Sequence, residues 1–309
     1  RGEQAFDTGV APCGSVGQGV SALNNLQYLL ALESAAAVDA AIGEMEFAAI
    51  WRARARRLGT TLLDRFWDDG RGLLADTLAK DRFSEHAQAM GIVSGLLTGA
   101  RRDSALKALA DGTGLAKASS YFAYYVFEAL TKCGRADLVL ERLGYWNNYL
   151  SWGAKTAFET QRQESRSDCH AWSASPIYFL QTAIAGVRPA APGYARVRVA
   201  PQPGRLAWLQ AVTPTPKGKV ALDLRFHDGG AFGSVVLPPG LEGEFVWKGE
   251  TRPLKPGMNE FDDPALAKVP RAVRPLSYVG MQHVSGLAPD WWEKRHEAKL
   301  AELASYGGK

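Results

Sequence analysis

The chain of 309 residues is 46% hydrophobic and 22% charged, which is typical of a folded protein and excludes a mainly disordered one. Its 36 Lys and Arg exceed its 32 Asp and Glu by only four scattered charges, so we predict no nucleic-acid partner. No apolar run reaches the roughly 18 residues of a membrane helix, and the three cysteines lack the spacing of a zinc site or a disulfide framework. We therefore predict no membrane partner, no metal and no cofactor.

Residues 18–186 show the spacing of helices. Between 44 and 67, for example, Phe47, Ile50 and Trp51 begin a series of apolar residues three and four positions apart, which forms one face of a helix. The pattern predicts seven helices, at 18–42, 44–67, 84–98, 103–110, 119–132, 136–152 and 176–185. Short links between helices favour antiparallel hairpins, and a bundle, an α-solenoid and an (α/α) toroid all fit this arrangement.

The sequence pattern changes after Gly186. Six prolines between 189 and 216 separate short β-rich runs, residues 220–226 alternate apolar and polar side chains, and 228–230 has the composition of a hairpin turn. These features predict a small antiparallel β-sandwich. We therefore expect a mainly α protein with a β domain, in three parts: a helical domain at 1–188, a β-sandwich at 189–262 and an irregular tail with a C-terminal helix at 263–309.

The most polar segment of the helical part, 156–176, joins two predicted helices. It places two Glu, an Asp, a His and a Trp within the 14 positions 159–172, whereas a plain connector needs only turn residues. Functional loops are often built in this way, with polar groups held between rigid helices. The alternative is a solvated loop with a single capping Asp.

Seven short segments carry a resemblance to a known family. They are Thr-x-x-Glu at 156–159, Ser-Arg-Ser-Asp-Cys-His-Ala-Trp at 165–172, Gly-Val-Arg-Pro-Ala-Ala-Pro-Gly at 186–193, Val-Ala-Pro-Gln-Pro-Gly at 199–204, Ser-Glu-His-Ala-Gln at 84–88, Ala-Ser-Ser-Tyr-Phe at 118–122 and Phe-Glu-Ala-Leu at 127–130. Through them the chain resembles the C-terminal part of the bacterial α-L-rhamnosidases, glycoside hydrolase family 78. The resemblance implies part of an (α/α)6 toroid followed by a β-sandwich. Seven helices are fewer than the twelve of such a toroid, so we expect the others, and the family's general acid, to lie upstream of Arg1.

The resemblance implies that Glu159 is the general base that activates water in an inverting hydrolysis. That reaction needs a carboxylic acid on the leaving oxygen and a carboxylate on the opposite face of the sugar, roughly 6.5–9.5 Å apart. A Glu on a loop at the mouth of a toroid can act as the carboxylate. The alternative is a surface Glu near the end of a helix.

Three further residues of the same loop are candidates for binding the sugar. His170 corresponds to a histidine that contacts the sugar in the family, where an imidazole offers both a donor and an acceptor; the alternative is a core His bonded to the backbone. Trp172 can stack on the apolar face of a deoxy sugar or anchor the loop in the core. Asp168 can bind a hydroxyl, cap a helix or pair with Arg166.

Two more substrate-binding candidates lie outside this loop. His86 stands at the start of a predicted helix, where a toroid collects its site residues, and capping or packing is its alternative role. Glu85 beside it is a second candidate for a catalytic carboxylate. Asp7 lies in a segment that resembles the family's Asp-Trp pair, with Thr8 in the position of the Trp.

The sequence leaves three functions open. The first is an α-L-rhamnosidase-like glycoside hydrolase that removes terminal α-L-rhamnose with inversion; its partners would be a rhamnose-containing glycan or glycoside and the upstream part of the same enzyme. The second is another toroidal carbohydrate-active enzyme, either an exo-glycosidase or a polysaccharide lyase. The third is a non-catalytic glycan-binding module. The residues assign no compartment, and a periplasmic or secreted bacterial protein is compatible with all three.

Overall fold

The computed structural model of the chain describes residues 19–112, 114–159 and 167–262. Asp7 and the predicted tail helix at 289–306 lie outside these ranges. The α-helices in the described part are α1 (Ala22–Ala41), α2 (Met45–Phe66), α3 (Glu85–Val93), α4 (Gly99–Asp111), α5 (Ala123–Lys132), α6 (Ala136–Leu143), α7 (Asn147–Ser151) and α8 (Ser175–Phe179). A two-stranded hairpin, β1 (Trp67–Asp68) with β2 (Leu73–Leu74), separates α2 from α3.

Some helix boundaries differ from the prediction for local reasons. The helix predicted at 84–98 ends at Val93, because Gly95 takes a left-handed backbone with φ +78°. The helix predicted at 136–152 is divided, since a 3₁₀ turn at Gly144–Trp146 separates α6 from α7. α5 starts at Ala123 rather than at 119, and the Ser119 hydroxyl accepts a hydrogen bond from the backbone N–H of Phe122 at 3.3 Å.

The helices form two rows. Consecutive helices pair as hairpins, α1 with α2, α3 with α4 and α5 with α6, while alternate helices pack side by side in the order α1, α3, α5, α8. We call α1, α3, α5 and α8 the inner row and α2, α4 and α6 the outer row. The inner row contains the core: every residue of α3 from Glu85 to Ile92 is buried, as are Val126 and Phe127 of α5.

The beginnings of the inner helices lie at one end of the molecule and are joined by hydrogen bonds. The N–H of Ala22 donates to the carbonyl of Asp76 at 3.0 Å, and the Ser84 hydroxyl donates to the Asp76 carboxylate at 2.6 Å. Burial raises the pKa of Asp76 to about 6, against the opposing effect of the Ser84 hydrogen bond. Since antiparallel hairpins bring every second helix start to the same end, this end collects the polar residues that precede the inner helices.

The β unit consists of two four-stranded sheets that enclose one core. The strands are β3 (Val187–Pro189), β4 (Arg196–Val199), β5 (Trp208–Thr215), β6 (Gly218–His227), β7 (Gly230–Leu237), β8 (Glu242–Trp247), β9 (Glu250–Leu254) and β10 (Gly257–Phe261). The sheets have the orders β10-β7-β6-β5 and β3-β4-β8-β9. Val197, Val220, Val235 and Leu241 are fully buried between them. A helical part followed by a β part was predicted and is confirmed.

One strand pair differs from the predicted antiparallel arrangement. β4 and β8 are parallel, with Val197 opposite Gly243. The chain leaves β4, forms β5, β6 and β7 in the other sheet, and returns to its first sheet in the original direction. A Cβ on Gly243 would lie 2.1 Å from the carbonyl oxygen of Val197, so the close approach of the two strands requires glycine there.

The β unit is fixed to the helices by specific contacts at residues 186–202. Gly186 has φ +72°, and a Cβ there would lie 2.2 Å from the backbone of Ala200, so both its conformation and its surroundings require glycine. Arg188 of β3 donates to the carboxylate of Glu128 on α5 at 3.2 Å and to the carbonyl of Thr182 at 2.8 Å. These contacts hold the two parts in one arrangement.

Large apolar side chains are exposed at both ends of the inner row. On the α1–α2 hairpin and its turn they are Tyr28, Val38, Ile42, Met45, Phe47 and Ile50, and on and after α8 they are Ile177, Tyr178 and Leu180. None of the helices in the described ranges combines the length and the apolar character needed to cross a bilayer.

Candidate active site

The polar loop between α7 and α8 folds back on itself. The N–H of Glu159 donates to the carbonyl of Ser167 at 2.9 Å, and the N–H of His170 donates to the carbonyl of Ala157 at 2.7 Å. The Thr156 hydroxyl also donates to the carbonyl of Asp168. Two extended arms therefore run antiparallel, which brings residues 11 positions apart in sequence to the same place.

Glu159 and His170 meet where the two arms pair. His170 Nε2 lies 3.9 Å from Glu159 Oε1. Glu159 is only 5% exposed, whereas the His170 side chain is 25% exposed and therefore reaches the surface. A carboxylate held out of bulk water beside an imidazole can accept a proton from a water molecule, which is the chemistry of a general base.

Aromatic rings form a wall next to this pair. The ring centroids of His170 and Trp172 are 4.4 Å apart, and Tyr121 lies 5.2 Å from Trp172 on the other side. His170 Nδ1 and Trp172 Nε1 are both buried, and neither has a hydrogen-bond partner among the described residues. Buried polar atoms are normally paired, so these two atoms can serve a bound polar molecule.

The other predicted site residues are placed differently. His86 lies at the start of α3, with its ring 4.4 Å from Phe122. Burial lowers the pKa of His86 to about 4, against the opposing charge of Glu85, so the ring is neutral at pH 7. Asp168 contributes its backbone carbonyl to the loop, as described above. The structure thus brings Glu159, His170 and Trp172 together. His86 lies on α3, which packs against α5.

Glu85 belongs to a buried ion-pair network rather than to an open site. Its carboxylate accepts hydrogen bonds from Arg142 at 2.9 Å, Lys117 at 3.2 Å and the N–H of Ala118 at 3.0 Å. Burial alone would raise the pKa of Glu85, but Arg142, the Ala118 N–H and Lys117 together lower it below its ordinary value. The suggestion that Glu85 is a second catalytic carboxylate is therefore wrong; it joins α3 to α6.

A group of buried hydroxyls lies behind Glu159 and was not predicted from the sequence. Ser120 and Ser173 are completely buried, with their Oγ atoms 2.9 Å apart, and Ser120 Oγ lies 3.5 Å from the carbonyl oxygen of Glu159. The ring of Tyr149 is also buried beside them, and burial raises the pKa of Tyr149. A serine next to a helix start looks like an ordinary cap, and only the pairing of Ser120 with distant residues distinguishes it.

A cavity of about 550 Å³ lies beside His170, between α7, the loop and α8. Trp146, Tyr149 and Ile177 are among the residues that line it, so its surface is mainly apolar. Within the described ranges, no group of three or more His, Cys, Asp and Glu side chains is arranged to hold a metal ion.

Residues 186–261 match the family model of the bacterial alpha-L-rhamnosidase C-terminal domain. The structure is similar to the GH78 family rhamnosidase of Bacillus sp. GL1, with a TM-score of 0.70 and 28% identity over 76% of this chain. The family resemblance is confirmed. The α-L-rhamnosidases of Aspergillus terreus (TM-score 0.62, 18% identity, 75% of this chain) and Streptomyces avermitilis, the latter complexed with L-rhamnose (TM-score 0.61, 16% identity, 76% of this chain), share the fold.

The chain corresponds to a limited part of these larger proteins. It covers 27% of the Bacillus structure, 29% of the Aspergillus structure and 26% of the Streptomyces structure. No curated protein matches the sequence. The comparisons therefore show a fold that glycoside hydrolases of this family use. The chain spans less than a third of their length.

Proposed function

We propose that this chain forms part of an α-L-rhamnosidase-like glycoside hydrolase that removes terminal α-L-rhamnose with inversion. The observation that carries the proposal is the buried Glu159 carboxylate, 3.9 Å from His170, whose ring in turn lies 4.4 Å from that of Trp172. The match of residues 186–261 and the similarity to the Bacillus enzyme support the substrate class. In this proposal Glu159 is the general base, and its carboxylate accepts a proton from the water that attacks the anomeric carbon.

The second catalytic group must stand on the opposite face of the sugar. Inversion requires a carboxylic acid about 6.5–9.5 Å from the base, with room for water on the side of the base. Glu85 cannot act in this way because its oxygens are held by Arg142, Lys117 and the backbone of Ala118. We assign the acid to the part of the enzyme that precedes this chain.

The arrangement of the inner row supports a proposed toroid. Its helix starts meet at the end that carries Glu159 and His86, as expected if the inner helices of an (α/α)6 barrel surround a central site. The exposed apolar side chains at both ends of the row, and the cavity next to Ile177, are the surfaces that further helices would cover in a closed ring. The proposed domains remain a helical part at 1–188, a β-sandwich at 189–262 and a tail at 263–309.

The sugar would be recognised by the loop and the neighbouring helix start. The buried Nδ1 of His170 and Nε1 of Trp172 have no partner among the described residues and would pair with sugar hydroxyls. The Trp172 ring offers an apolar surface for the C6 methyl group of rhamnose. Asp168, His86 and Asp7 remain proposed substrate-binding residues.

Hydrolysis of an aryl α-L-rhamnoside by the complete enzyme, followed by proton NMR, tests the proposal. Inversion requires that β-L-rhamnose is the first anomer released, before mutarotation. Release of α-L-rhamnose first would contradict the inverting mechanism. A polysaccharide lyase would instead generate an unsaturated sugar with ultraviolet absorbance, and a binding module would retain rhamnose without any turnover.

Replacing His170 with alanine should weaken the binding of L-rhamnose. The loss of one or two hydrogen bonds that leaves a sugar hydroxyl unpaired costs about 1–3 kcal/mol, which is roughly a 5- to 150-fold increase in Kd. Isothermal titration calorimetry of the variant and of the unmodified protein with L-rhamnose measures this change in Kd. His227→Ala is the matched control, because His227 lies at the end of β6, stacked on Phe232. Equal affinities of the His170→Ala variant and the unmodified protein would remove His170 from the site.

A further inference from the structure

We propose that Ser120 is a positioning residue that sets the orientation of Glu159 relative to His170. It lies just before α5, on a different hairpin from the polar loop, and its side chain is completely buried. The kinetic part of this inference rests on the proposed function, whereas the structural part does not.

The Ser120 hydroxyl connects the backbone of Glu159 with the Ser173 side chain, which lies in the turn that follows His170. Its Oγ lies 2.9 Å from Ser173 Oγ and 3.5 Å from the carbonyl oxygen of Glu159. If Ser120 donates its single proton to that carbonyl, Ser173 must donate to Ser120, which gives one ordered chain of hydrogen bonds. The chain runs from Ser173, in the 3₁₀ turn Ala171–Ala174, through Ser120, just before α5, to the backbone carbonyl of Glu159.

The Ser173 end of this chain is attached to the helical core. The N–H of Ser173 donates to the carbonyl of His170 at 3.2 Å, and the carbonyl of Ser173 accepts from Trp146 Nε1 at 2.7 Å. Trp146 packs against Phe127 of α5, with ring centroids 5.8 Å apart. Ser120 is thus a polar contact between the loop and the segment that leads into α5.

A positioning role of this kind matters because catalytic geometry is sensitive to small displacements. A shift of about 1 Å in a reacting group can reduce turnover by about 100-fold. His170 Nε2 and Glu159 Oε1 are 3.9 Å apart and belong to separate arms of the loop. Ser120 contacts the first arm at Glu159 and reaches the second through Ser173, which donates to the carbonyl of His170, so it helps to fix this separation. Sugar binding tolerates small displacements better than proton transfer to Glu159, so kcat should respond more strongly than KM.

Hydrogen–deuterium exchange on the 309-residue chain tests the structural part. In Ser120→Ala, the amides of Glu159 and His170, which pair with Ser167 and Ala157, should exchange about tenfold faster, as expected for one lost buried hydrogen bond. The matched control is Ser119→Ala, since the adjacent Ser119 is also buried but its hydroxyl accepts from the N–H of Phe122. In Ser119→Ala, faster amide exchange should be confined to the first turn of α5.

Kinetics of the complete enzyme provide the second measurement. Ser120→Ala should lower kcat about tenfold while KM changes little, and Ser119→Ala should leave both unchanged. Ser173→Ala should act like Ser120→Ala, and the losses in the double variant should be less than multiplicative because both hydroxyls belong to one chain. If Ser120→Ala does not fold, Ser173→Ala takes its place in both measurements.

Two results would overturn the proposal. One is identical exchange at Glu159 and His170 in Ser120→Ala and in the Ser119→Ala control. The other is faster exchange in Ser120→Ala with unchanged kcat. An unmodified enzyme without rhamnosidase activity would contradict the proposed function, and the exchange result would then decide on the positioning role by itself.

Discussion

Glu159→Gln should abolish nearly all rhamnoside hydrolysis while the binding of rhamnose is retained. Glutamine has the shape of glutamate but cannot accept a proton from the attacking water. A general base contributes about 100- to 10,000-fold, so kcat of the complete enzyme should fall by at least 100-fold. The Glu159 side chain is buried, and glutamine fills the same volume, so the packing of the loop is preserved. Steady-state kinetics with an aryl rhamnoside and titration with L-rhamnose separate the two effects.

The control for this substitution is Glu141→Gln. Glu141 is exposed on α6 of the outer row, away from the polar loop, so its neutralisation should change neither kcat nor the affinity for L-rhamnose. Near-normal turnover by Glu159→Gln would remove the general base from the proposed mechanism. A loss of both turnover and rhamnose binding would instead show that Glu159 has mainly a structural role in the loop.

Much of the fold could be predicted from the sequence because it depends on local patterns. Apolar spacing of three and four identified the helices, and proline-separated alternating runs identified the β part. The parallel pairing of β4 with β8 could not be predicted, since it results from the path of the chain through a second sheet. The break between α6 and α7 was also missed, because the apolar pattern continues across Gly144.

The candidate site was predictable only where its residues share one loop. Glu159 and His170 lie in the same polar segment, so their proximity could be anticipated. Ser120 lies 39 residues from Glu159, and Arg142 lies 57 residues from Glu85. No pattern in the sequence connects residues over such distances. The sequence therefore suggested a catalytic role for Glu85, and only the structure shows that its charge is already compensated.

Arg142→Met should strongly destabilise the helical part, because it leaves the buried Glu85 carboxylate without its main partner. Breaking a buried ion pair from one side costs about 3–5 kcal/mol, and Lys117 and the Ala118 N–H, which remain, favour the lower value. Arg142 also donates to the carbonyl of Leu109 at 2.6 Å, a hydrogen bond that methionine cannot replace. Urea unfolding of the chain, followed by circular dichroism at 222 nm, measures the change in the free energy of unfolding.

Lys117→Met is the matched control, since Lys117 pairs with the same carboxylate oxygen but its side chain is 58% exposed, against 28% for Arg142. Solvent screens the exposed ammonium group of Lys117, so this change should cost less than about 1 kcal/mol. Equal losses in the two variants would show that exposure does not determine the strength of these pairs.

The effect of Arg142→Met should also depend on pH. In the unmodified protein the folded pKa of Glu85 lies below its unfolded value, so its contribution to stability is complete above the unfolded pKa and is lost as the pH falls through the folded pKa. Without Arg142, two of the effects that lower the folded pKa of Glu85 are lost, so this pKa rises and the variant takes up a proton at a higher pH than the unmodified protein. The difference in the free energy of unfolding should therefore be large at pH 7 and smaller near pH 4. A difference that stays constant over this range would mean that the lost packing and the Leu109 hydrogen bond, rather than the charge of Glu85, cause the destabilisation.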